Sequence, residues 1–240
     1  MRLFRLLDVS GMFHPIWRVK EGAGKPIGEA ASETVQALRE HAARAGADFV
    51  IACCDAPGRN FRHDIAEEYR ALVPDYKGYK GHRPEKDPAM MAALDRVIDE
   101  LEQDGVPIMR VPGFEADDVI ATIAAWATAN GDSVEVVSED KDLLALARDV
   151  DPDNDTAPSV VVIRRDGKRQ GYDACVERLG VPPELVPAML AMAGDTSDGI
   201  LGIPSVGKKT AAALLWGEGV GKEWQPTPFR RFGAMVDAAV

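Results

Sequence analysis

Six residues, Gly113-Phe114-Glu115-Ala116-Asp117-Asp118, join a short apolar run to a helical pattern. The run from Val106 to Pro112 predicts a strand, and the residues from Val119 to Trp126 predict a helix. Three carboxylates therefore lie in or near the first turn of a helix. One or two acids there would complement the helix dipole, by about 0.3–1 kcal/mol each. Three so close together also repel one another, so the stretch leaves two interpretations open, an acidic helix start or a cation site.

Three further apolar runs predict strands that end at acids. They are Leu3 to Leu7 before Asp8, Phe49 to Cys54 before Asp55, and Val134 to Val137 before Asp140 and Asp142. Helical patterns between them, such as Ser32 to Ala45 with Ser32 as a candidate cap, indicate a parallel α/β sheet. Ligands bind outside the carboxyl ends of the strands in such sheets. A single acid after a strand is usually a turn residue, but four strands with acids at that end predict a site.

The composition limits the class of protein. A chain of 240 residues with 46% hydrophobic residues can form one large domain, or a domain with a small appendage. The net charge of -11 argues against general electrostatic binding to nucleic acid, although metal-binding carboxylates would contribute to that count. Cys53, Cys54 and Cys175 lack zinc-site spacing and are expected to be reduced thiols. With no signal peptide and no apolar run near 18 residues, we expect a soluble cytoplasmic protein without membrane contact.

The polar stretch from Pro57 to Pro88 interleaves basic and aromatic residues, a pattern that suits a phosphate backbone and stacked bases. A solvated loop with an amphipathic helix is the alternative interpretation. The basic residues are Arg59, Arg62, Arg70, Lys77, Lys80, Arg83 and Lys86, and the aromatic residues are Phe61, Tyr69, Tyr76 and Tyr79.

The C-terminal third adds a hairpin, more acids and a glycine-rich turn. Asp166-Gly167 predicts a hairpin between Val160 to Ile163 and Lys168 to Tyr172. A helix predicted over Pro182 to Ala193 leads to Asp195 and Asp198. Gly202 to Gly207 then precede an apolar helix, where free backbone N–H groups can hold a phosphate. Lys208 and Lys209 add positive charge there, although an ordinary helix start remains the alternative.

Together these motifs resemble the 5′-nuclease family, which contains the flap endonucleases, the phage 5′-exonucleases and the N-terminal domain of bacterial family A DNA polymerases. The motifs occur in the family's order from residue 7 to about 215. They are Leu7-Asp8, Asp55 with Phe61-Arg62-His63, Tyr79-Lys80-Gly81-His82-Arg83-Pro84, Gly113 to Asp118, Asp140-Lys141-Asp142-Leu143, and Gly194-Asp195 through Thr210-Ala211.

The resemblance implies an α/β fold with a PIN-like parallel sheet core over residues 1–172. It also implies a helical arch at about 57–88 and a helix-three-turn-helix DNA-binding subdomain at 173–240 with a shortened C-terminus. Val9 stands where the family pattern has Gly, and Gly199 and Leu201 stand where it has Asn and Pro. Trp216 onward matches no family motif.

The resemblance further implies three sets of site residues. The acids that would bind two divalent cations, Mg²⁺ or Mn²⁺, are Asp8, Asp55, Glu115, Asp117, Asp118, Asp140, Asp142, Asp195 and Asp198. The catalytic basic pair is Lys80 and Arg83. The DNA-binding residues are Arg62, Lys77, Gly202, Ser205, Gly207, Lys208 and Lys209, with K⁺ as a further candidate cation at the glycine-rich turn.

The implied activity is metal-dependent 5′-3′ exonuclease or flap endonuclease hydrolysis of DNA by a two-metal mechanism. A monomer acting on DNA with 5′ ends or flaps in replication or repair is expected. Hard divalent cations and oxygen ligands suit this chemistry. Three alternatives stay open: a branched-DNA-binding protein with little catalysis, a PIN-like RNase, and a small-molecule phosphohydrolase.

Overall fold

The computed structural model describes residues 1–73, 76–85, 87–149 and 157–217. Residues 218–240, which belong to the predicted shortened C-terminus, lie outside the described residues. The strands are β1 (Leu3–Asp8), β2 (Phe49–Cys53), β3 (Ile108–Met109), β4 (Ser133–Val137), β5 (Val160–Ile163) and β6 (Arg169–Gln170). The helices are α1 (Val9–Gly22), α2 (Ile27–Ala42), α3 (Phe61–Leu72), α4 (Pro88–Gln103), α5 (Ala116–Ala129), α6 (Tyr172–Leu179), α7 (Val186–Ala193) and α8 (Lys208–Trp216).

The strands form one mostly parallel sheet in the order β3-β2-β1-β4-β5-β6. Strands β1 to β5 pair in parallel, and β6 pairs antiparallel with β5. The parallel α/β fold and the hairpin predicted from the sequence are therefore confirmed. The chain builds outward from β1 to β3 on one side, and then adds β4 and β5 on the other. The switch lies between β1 and β4, where open α/β sheets bind ligands.

Hydrophobic side chains of β1 alternate between two cores because successive residues of a strand point to opposite faces. Phe4 and Leu6 pack into a core formed with α5 and the C-terminal helices, which contribute Met189 and Ala212. Leu7 packs into the second core, with α1, α2 and α4. Helices thus cover both faces of the sheet and leave its carboxyl edge for the acids.

Several predicted boundaries were wrong. Strand β3 contains two residues instead of the seven from Val106 to Pro112, a run that holds two prolines without N–H donors. Helix α2 begins at Ile27, so Ser32 lies inside the helix, where its hydroxyl donates to the carbonyl of Gly28 at 3.0 Å and caps nothing. The second hairpin strand ends at Gln170, because Tyr172 begins α6. Helix α1 was not predicted from the sequence, because Pro15 interrupts its helical hydrophobic pattern.

Within the described ranges, no helix is both long and apolar enough to cross a bilayer.

Candidate active site

Asp8 lies at the switch between β1 and β4 and is held by two donors. The backbone N–H of Gly11 donates to its Oδ1 at 2.8 Å, and the buried Ser138 hydroxyl donates to its Oδ2 at 2.5 Å. A Cβ on Gly11 would lie 1.9 Å from the Asp8 carboxylate, so glycine permits this approach. Burial raises the pKa of Asp8 to about 6, against the hydrogen bond from Ser138.

Asp55 connects β2 to the acidic helix start. Its Oδ2 accepts from the hydroxyl of Ser10 at 2.9 Å, and its Oδ1 accepts from the backbone N–H of Ala116 at 2.9 Å. Because Ala116 is the first residue of α5, this contact brings the end of β2 against the start of that helix. The segments that follow β1, β2 and β3 therefore meet at Asp55.

Asp117 is surrounded by other carboxylates. Burial raises its pKa to about 8, and the charges of Asp8, Asp140, Asp55 and Glu115 act in the same direction. A group of carboxylates that cannot all ionise together is strained at neutral pH without a compensating cation. Four of the other predicted acids therefore lie close enough to Asp117 to act on it electrostatically.

Asp140 and Asp142 follow β4 and turn towards the C-terminal acids. The Ser138 hydroxyl accepts from the Asp140 N–H at 2.9 Å, and Asp140 Oδ1 accepts from the Asp142 N–H at 2.8 Å. Burial and the charge of Asp140 raise the pKa of Asp142, while Lys208 opposes this shift. Its Oδ1 is buried and has no hydrogen-bond partner in the described part of the chain.

Glu115 receives three donors from the segment predicted to be an arch. Asn60 Nδ2 donates to its Oε1 at 2.7 Å, and Lys80 Nζ lies 2.6 Å from the same oxygen. The Tyr79 hydroxyl lies 2.9 Å from Glu115 Oε2 and 2.9 Å from Asp198 Oδ2. Burial raises the pKa of that hydroxyl, and both carboxylates add to the effect.

Arg62 and Asp118 form a two-pronged ion pair. The guanidinium nitrogens lie 2.6 and 2.7 Å from the two carboxylate oxygens, and the guanidinium also lies 4.6 Å from the centre of the Phe61 ring. Burial alone would raise the pKa of Asp118, but the hydrogen bonds from Arg62 lower it overall. Asp118 Oδ2 additionally accepts from the Glu115 N–H at 3.0 Å, which closes a capping box at the start of α5.

The loop after α7 holds Asp195 and Asp198. Asp195 Oδ1 accepts from the N–H and the hydroxyl of Ser197 at 2.8 and 2.6 Å. Burial raises the pKa of Asp195, but these bonds and the charge of Lys208 outweigh it, so the pKa is lowered. Asp198 pairs with Arg83, whose Nε also donates to the carbonyl of Ser197 at 2.8 Å.

Lys80 has a strained backbone where the arch segment meets this loop. Its φ of 54° lies in the left-handed region that side-chain-bearing residues rarely adopt, and its N–H donates to the Asp198 carbonyl at 2.7 Å. Gly199 has a φ of +73°, and a Cβ there would lie 3.0 Å from the Gly78 carbonyl and 3.2 Å from His82 Nδ1. The absence of a side chain at Gly199 therefore permits the two segments to lie this close together.

The predicted DNA-binding residues fall into two places. Lys77 is exposed within the arch segment, which also contains Arg62. The others lie in the turn between α7 and α8 or in the first turn of α8. Within that turn, Ser205 has a φ of 65°, and a Cβ on Gly202 would lie 2.3 Å from the carbonyl carbon of Ala193. Gly207 caps α8 and, like Lys209, is exposed, whereas Lys208 faces Asp142 and Asp195 electrostatically.

The acid cluster fits a hard divalent cation, although the described residues contain no group of three side chains already arranged as ligands of one ion. Several of the carboxylates are turned to Arg62, Lys80 and Arg83 instead. The fit rests on the chemistry of the donors, which are all carboxylate oxygens, and on the buried, unpartnered Oδ1 of Asp142. The assignment of each predicted acid as a metal ligand stays a prediction.

Sequence reasoning missed the neutral side chains that hold the acids in place. Ser10 and Ser138 hold Asp55 and Asp8, and Asn60 holds Glu115. For Asn60 a signal existed, because asparagine before a helical pattern is a preferred N-cap. The spacing of the two serines carries no comparable signal.

Fold and site together define the class of protein. It is a parallel α/β protein with a cluster of carboxylates at the carboxyl edge of its sheet, and a basic segment forms ion pairs with that cluster. Residues 6–179 match the sequence model of the family described as 5′-3′ exonuclease, N-terminal resolvase-like domain. The chain belongs to this family.

Curated relatives agree with this assignment. DNA polymerase I of Pseudomonas aeruginosa is 32% identical over 211 residues, which is 88% of this chain and 21% of that protein. A 5′-3′ exonuclease of Aquifex aeolicus is 30% identical over 185 residues, which is 74% of this chain and 56% of that protein. The chain thus spans about a fifth of the polymerase and just over half of the exonuclease.

A solved structure supports the fold. The T5 D15 protein co-crystallised with metal ions has a TM-score of 0.66 and 20% identity, over 97% of this chain and 84% of that one. A complex of the T5 D15 flap endonuclease with DNA and metal ions gives a TM-score of 0.64 at 19% identity, over the same shares. At this level of identity, the likeness shows a shared fold.

Proposed function

We propose that the protein is a metal-dependent 5′-nuclease that hydrolyses phosphodiester bonds of DNA, as a 5′-3′ exonuclease, a flap endonuclease or both. The observation that carries the proposal is the position of Asp117 among Asp8, Asp55, Asp140 and Glu115, where burial first and the four neighbouring charges second raise its pKa to about 8. Such a cluster is stabilised by cations, and it lies beside arginine and lysine side chains that suit a phosphate. Family membership and the T5 D15 complex with DNA and metal ions support the same activity.

Two divalent cations, Mg²⁺ or Mn²⁺, are proposed to bind in the acid cluster. When bound, they supply positive charge to the scissile phosphate and lower the pKa of the attacking water. The proposed ligands are drawn from the acids predicted from the sequence, namely Asp8, Asp55, Glu115, Asp117, Asp118, Asp140, Asp142, Asp195 and Asp198. Ser10 and Ser138 hold Asp55 and Asp8 in fixed orientations by their hydrogen bonds.

Lys80 and Arg83 are proposed to stabilise charge on the phosphate in the transition state. Both are paired with carboxylates in this structure, Lys80 with Glu115 and Arg83 with Asp198. Cations bound to those carboxylates would weaken the two pairs, which would leave the basic side chains available to the phosphate. Arg62, now paired with Asp118, would be affected in the same way.

Duplex DNA is proposed to contact the turn between α7 and α8, as a helix-three-turn-helix. The exposed Gly207 and Lys209 at the start of α8 support this, since a helix N-terminus and a lysine both favour phosphate. The same proposal includes K⁺ binding at this turn, a PIN-like core and a domain boundary between residues 172 and 173. It also includes a monomeric state and a cytoplasmic location.

The direct test compares substrates. A 5′-labelled flap, a matching blunt duplex and an RNA copy of the flap strand are incubated with Mg²⁺ and, separately, with EDTA. We expect metal-dependent cutting of the DNA substrates, with product lengths that separate flap cutting from stepwise digestion. Preferential cutting of the RNA would favour the RNase alternative, and tight DNA binding without cutting would favour the branched-DNA-binding alternative.

A further inference from the structure

We propose that Asn60 is a positioning residue that fixes the Glu115 carboxylate at the metal centre independently of the basic arch residues. This inference rests on the proposed function and adds a residue that neither the family motifs nor the acid pattern singles out. Asn60 is buried, and its Nδ2 donates to Glu115 Oε1 at 2.7 Å.

The orientation of the Asn60 amide is set by the helix it caps. Its Oδ1 accepts from the backbone N–H of Arg62 at 3.1 Å and lies 2.8 Å from His63 Nδ1, while the Asn60 N–H lies 3.2 Å from the same ring nitrogen. The contact with the Arg62 N–H is the N-cap of α3, and the contact between the Asn60 N–H and the His63 ring belongs to the capping box. With the oxygen used by the cap, the amide nitrogen is aimed at Glu115.

Asn60 differs from the other donors to Glu115 because it is neither a cation attracted to phosphate, as Lys80 is, nor shared with a second carboxylate, as Tyr79 is. Lys80 Nζ lies 2.6 Å from Glu115 Oε1 and would be drawn to a phosphate. The Tyr79 hydroxyl lies equally close to Glu115 and Asp198 and has one proton to give. When the lysine turns to the substrate, the amide of Asn60 remains to hold the carboxylate.

Serine separates the two roles of Asn60. Serine caps helices about as well as asparagine. Its hydroxyl is bonded directly to Cβ, one bond closer to the backbone than the asparagine amide nitrogen, and cannot reach Glu115 while it caps. Asn60→Ser therefore keeps the start of α3 and removes the donor to Glu115. Asp87→Ala is the matched control for a lost cap, since the exposed Asp87 caps α4 by accepting from the Ala89 N–H at 2.8 Å.

The test measures Mn²⁺ binding by the loss of the free-ion electron paramagnetic resonance signal, alongside flap cleavage at increasing Mn²⁺ concentration. Asn60→Ser is expected to bind Mn²⁺ about tenfold more weakly and to need correspondingly more Mn²⁺ for half-maximal cleavage, because partners of ligating carboxylates contribute on this scale. Its KM for DNA should match the wild type, its metal-free thermal midpoint should fall no further than that of Asp87→Ala, and Asp87→Ala should bind Mn²⁺ normally.

Wild-type Mn²⁺ affinity in Asn60→Ser would overturn the inference, and so would wild-type affinity in Glu115→Gln, because Asn60 can act on the metal only through that carboxylate. The failure of the proposed function is distinguishable from this result. If the wild type binds Mn²⁺ but cuts no DNA, the nuclease proposal fails while the binding series still decides the role of Asn60. If the wild type binds no Mn²⁺, both fall.

Discussion

Arg62 and Asp118 are joined by two parallel hydrogen bonds, with nitrogen–oxygen distances of 2.6 and 2.7 Å. The pair connects the first turn of α3 to the first turn of α5, so it ties the segment predicted to contact DNA to the acid cluster. Arg62, which the sequence analysis predicts to bind DNA, thus forms an ion pair within the protein in this structure.

Replacing Arg62 by Met is expected to lower the free energy of unfolding by about 1–3 kcal/mol in EDTA, because Asp118 loses its cation beside other carboxylates. Saturating Mg²⁺ should recover part of this loss. Urea unfolding in EDTA and in Mg²⁺ measures both values, and an equal loss under the two conditions would contradict the link between the ion pair and the metal centre.

Replacing Asp117 by Asn is expected to have opposite effects on stability and activity. At about pH 9, above the raised pKa of Asp117, the metal-free variant should be about 1–3 kcal/mol more stable than the wild type, because it removes one charge from the cluster. Cleavage of DNA should fall sharply in the same variant. Thermal unfolding in EDTA and a cleavage assay test the pair of outcomes, and a destabilised variant would show that the cluster is not strained.

Replacing Gly199 by Ala is expected to loosen the contact between the arch segment and the loop after α7. The added Cβ would meet the Gly78 carbonyl at 3.0 Å, and the φ of +73° disfavours any side chain, at a cost of about 1 kcal/mol. Limited proteolysis between residues 57 and 88 should become faster. Gly22→Ala is the control, since its Cβ would meet nothing within 4 Å; equal rates in both variants would rule out the contact.

A buried carboxylate on β4 that pairs with two arginines gives a prediction about pH. Glu135 on β4 accepts from Arg5 Nε at 2.8 Å and from Arg169 Nη1 at 2.5 Å. Burial would raise the pKa of Glu135, but the bonds from Arg169 and Arg5 lower it overall, so its contribution to stability is complete above pH 4.5 and is lost as the pH falls through the lowered value.

Glu135→Gln should therefore cost about 3 kcal/mol near pH 7, and this cost should shrink as the pH is lowered below 4.5. Urea unfolding of both proteins across that range measures the difference. A cost that stays constant with pH would mean that the charge of Glu135 contributes nothing to the folded state.

The sequence predicted those features that depend on a single residue or on a local hydrophobic pattern. The strands before Asp8 and Asp55 were predictable because buried parallel strands are short apolar runs, and the acids after them necessarily meet at one edge of the sheet. The pairing of Arg62 with Asp118 was not predictable, because it depends on how the segment after β2 folds back over α5. Ser138 was missed for the same reason, since its contact with Asp8 comes from register between β1 and β4.

The most direct test of the central claim is the rate of 5′-flap cleavage by the wild type and by Asp140→Ala, each in Mg²⁺ and in EDTA. Asp173→Ala, which alters an exposed acid on α6, is the matched control for the loss of a carboxylate. We expect cutting by the wild type and Asp173→Ala in Mg²⁺, and none by Asp140→Ala or by any protein in EDTA. Undiminished cutting by Asp140→Ala, or cutting that persists in EDTA, would show that the acid cluster is not a metal-dependent nuclease site.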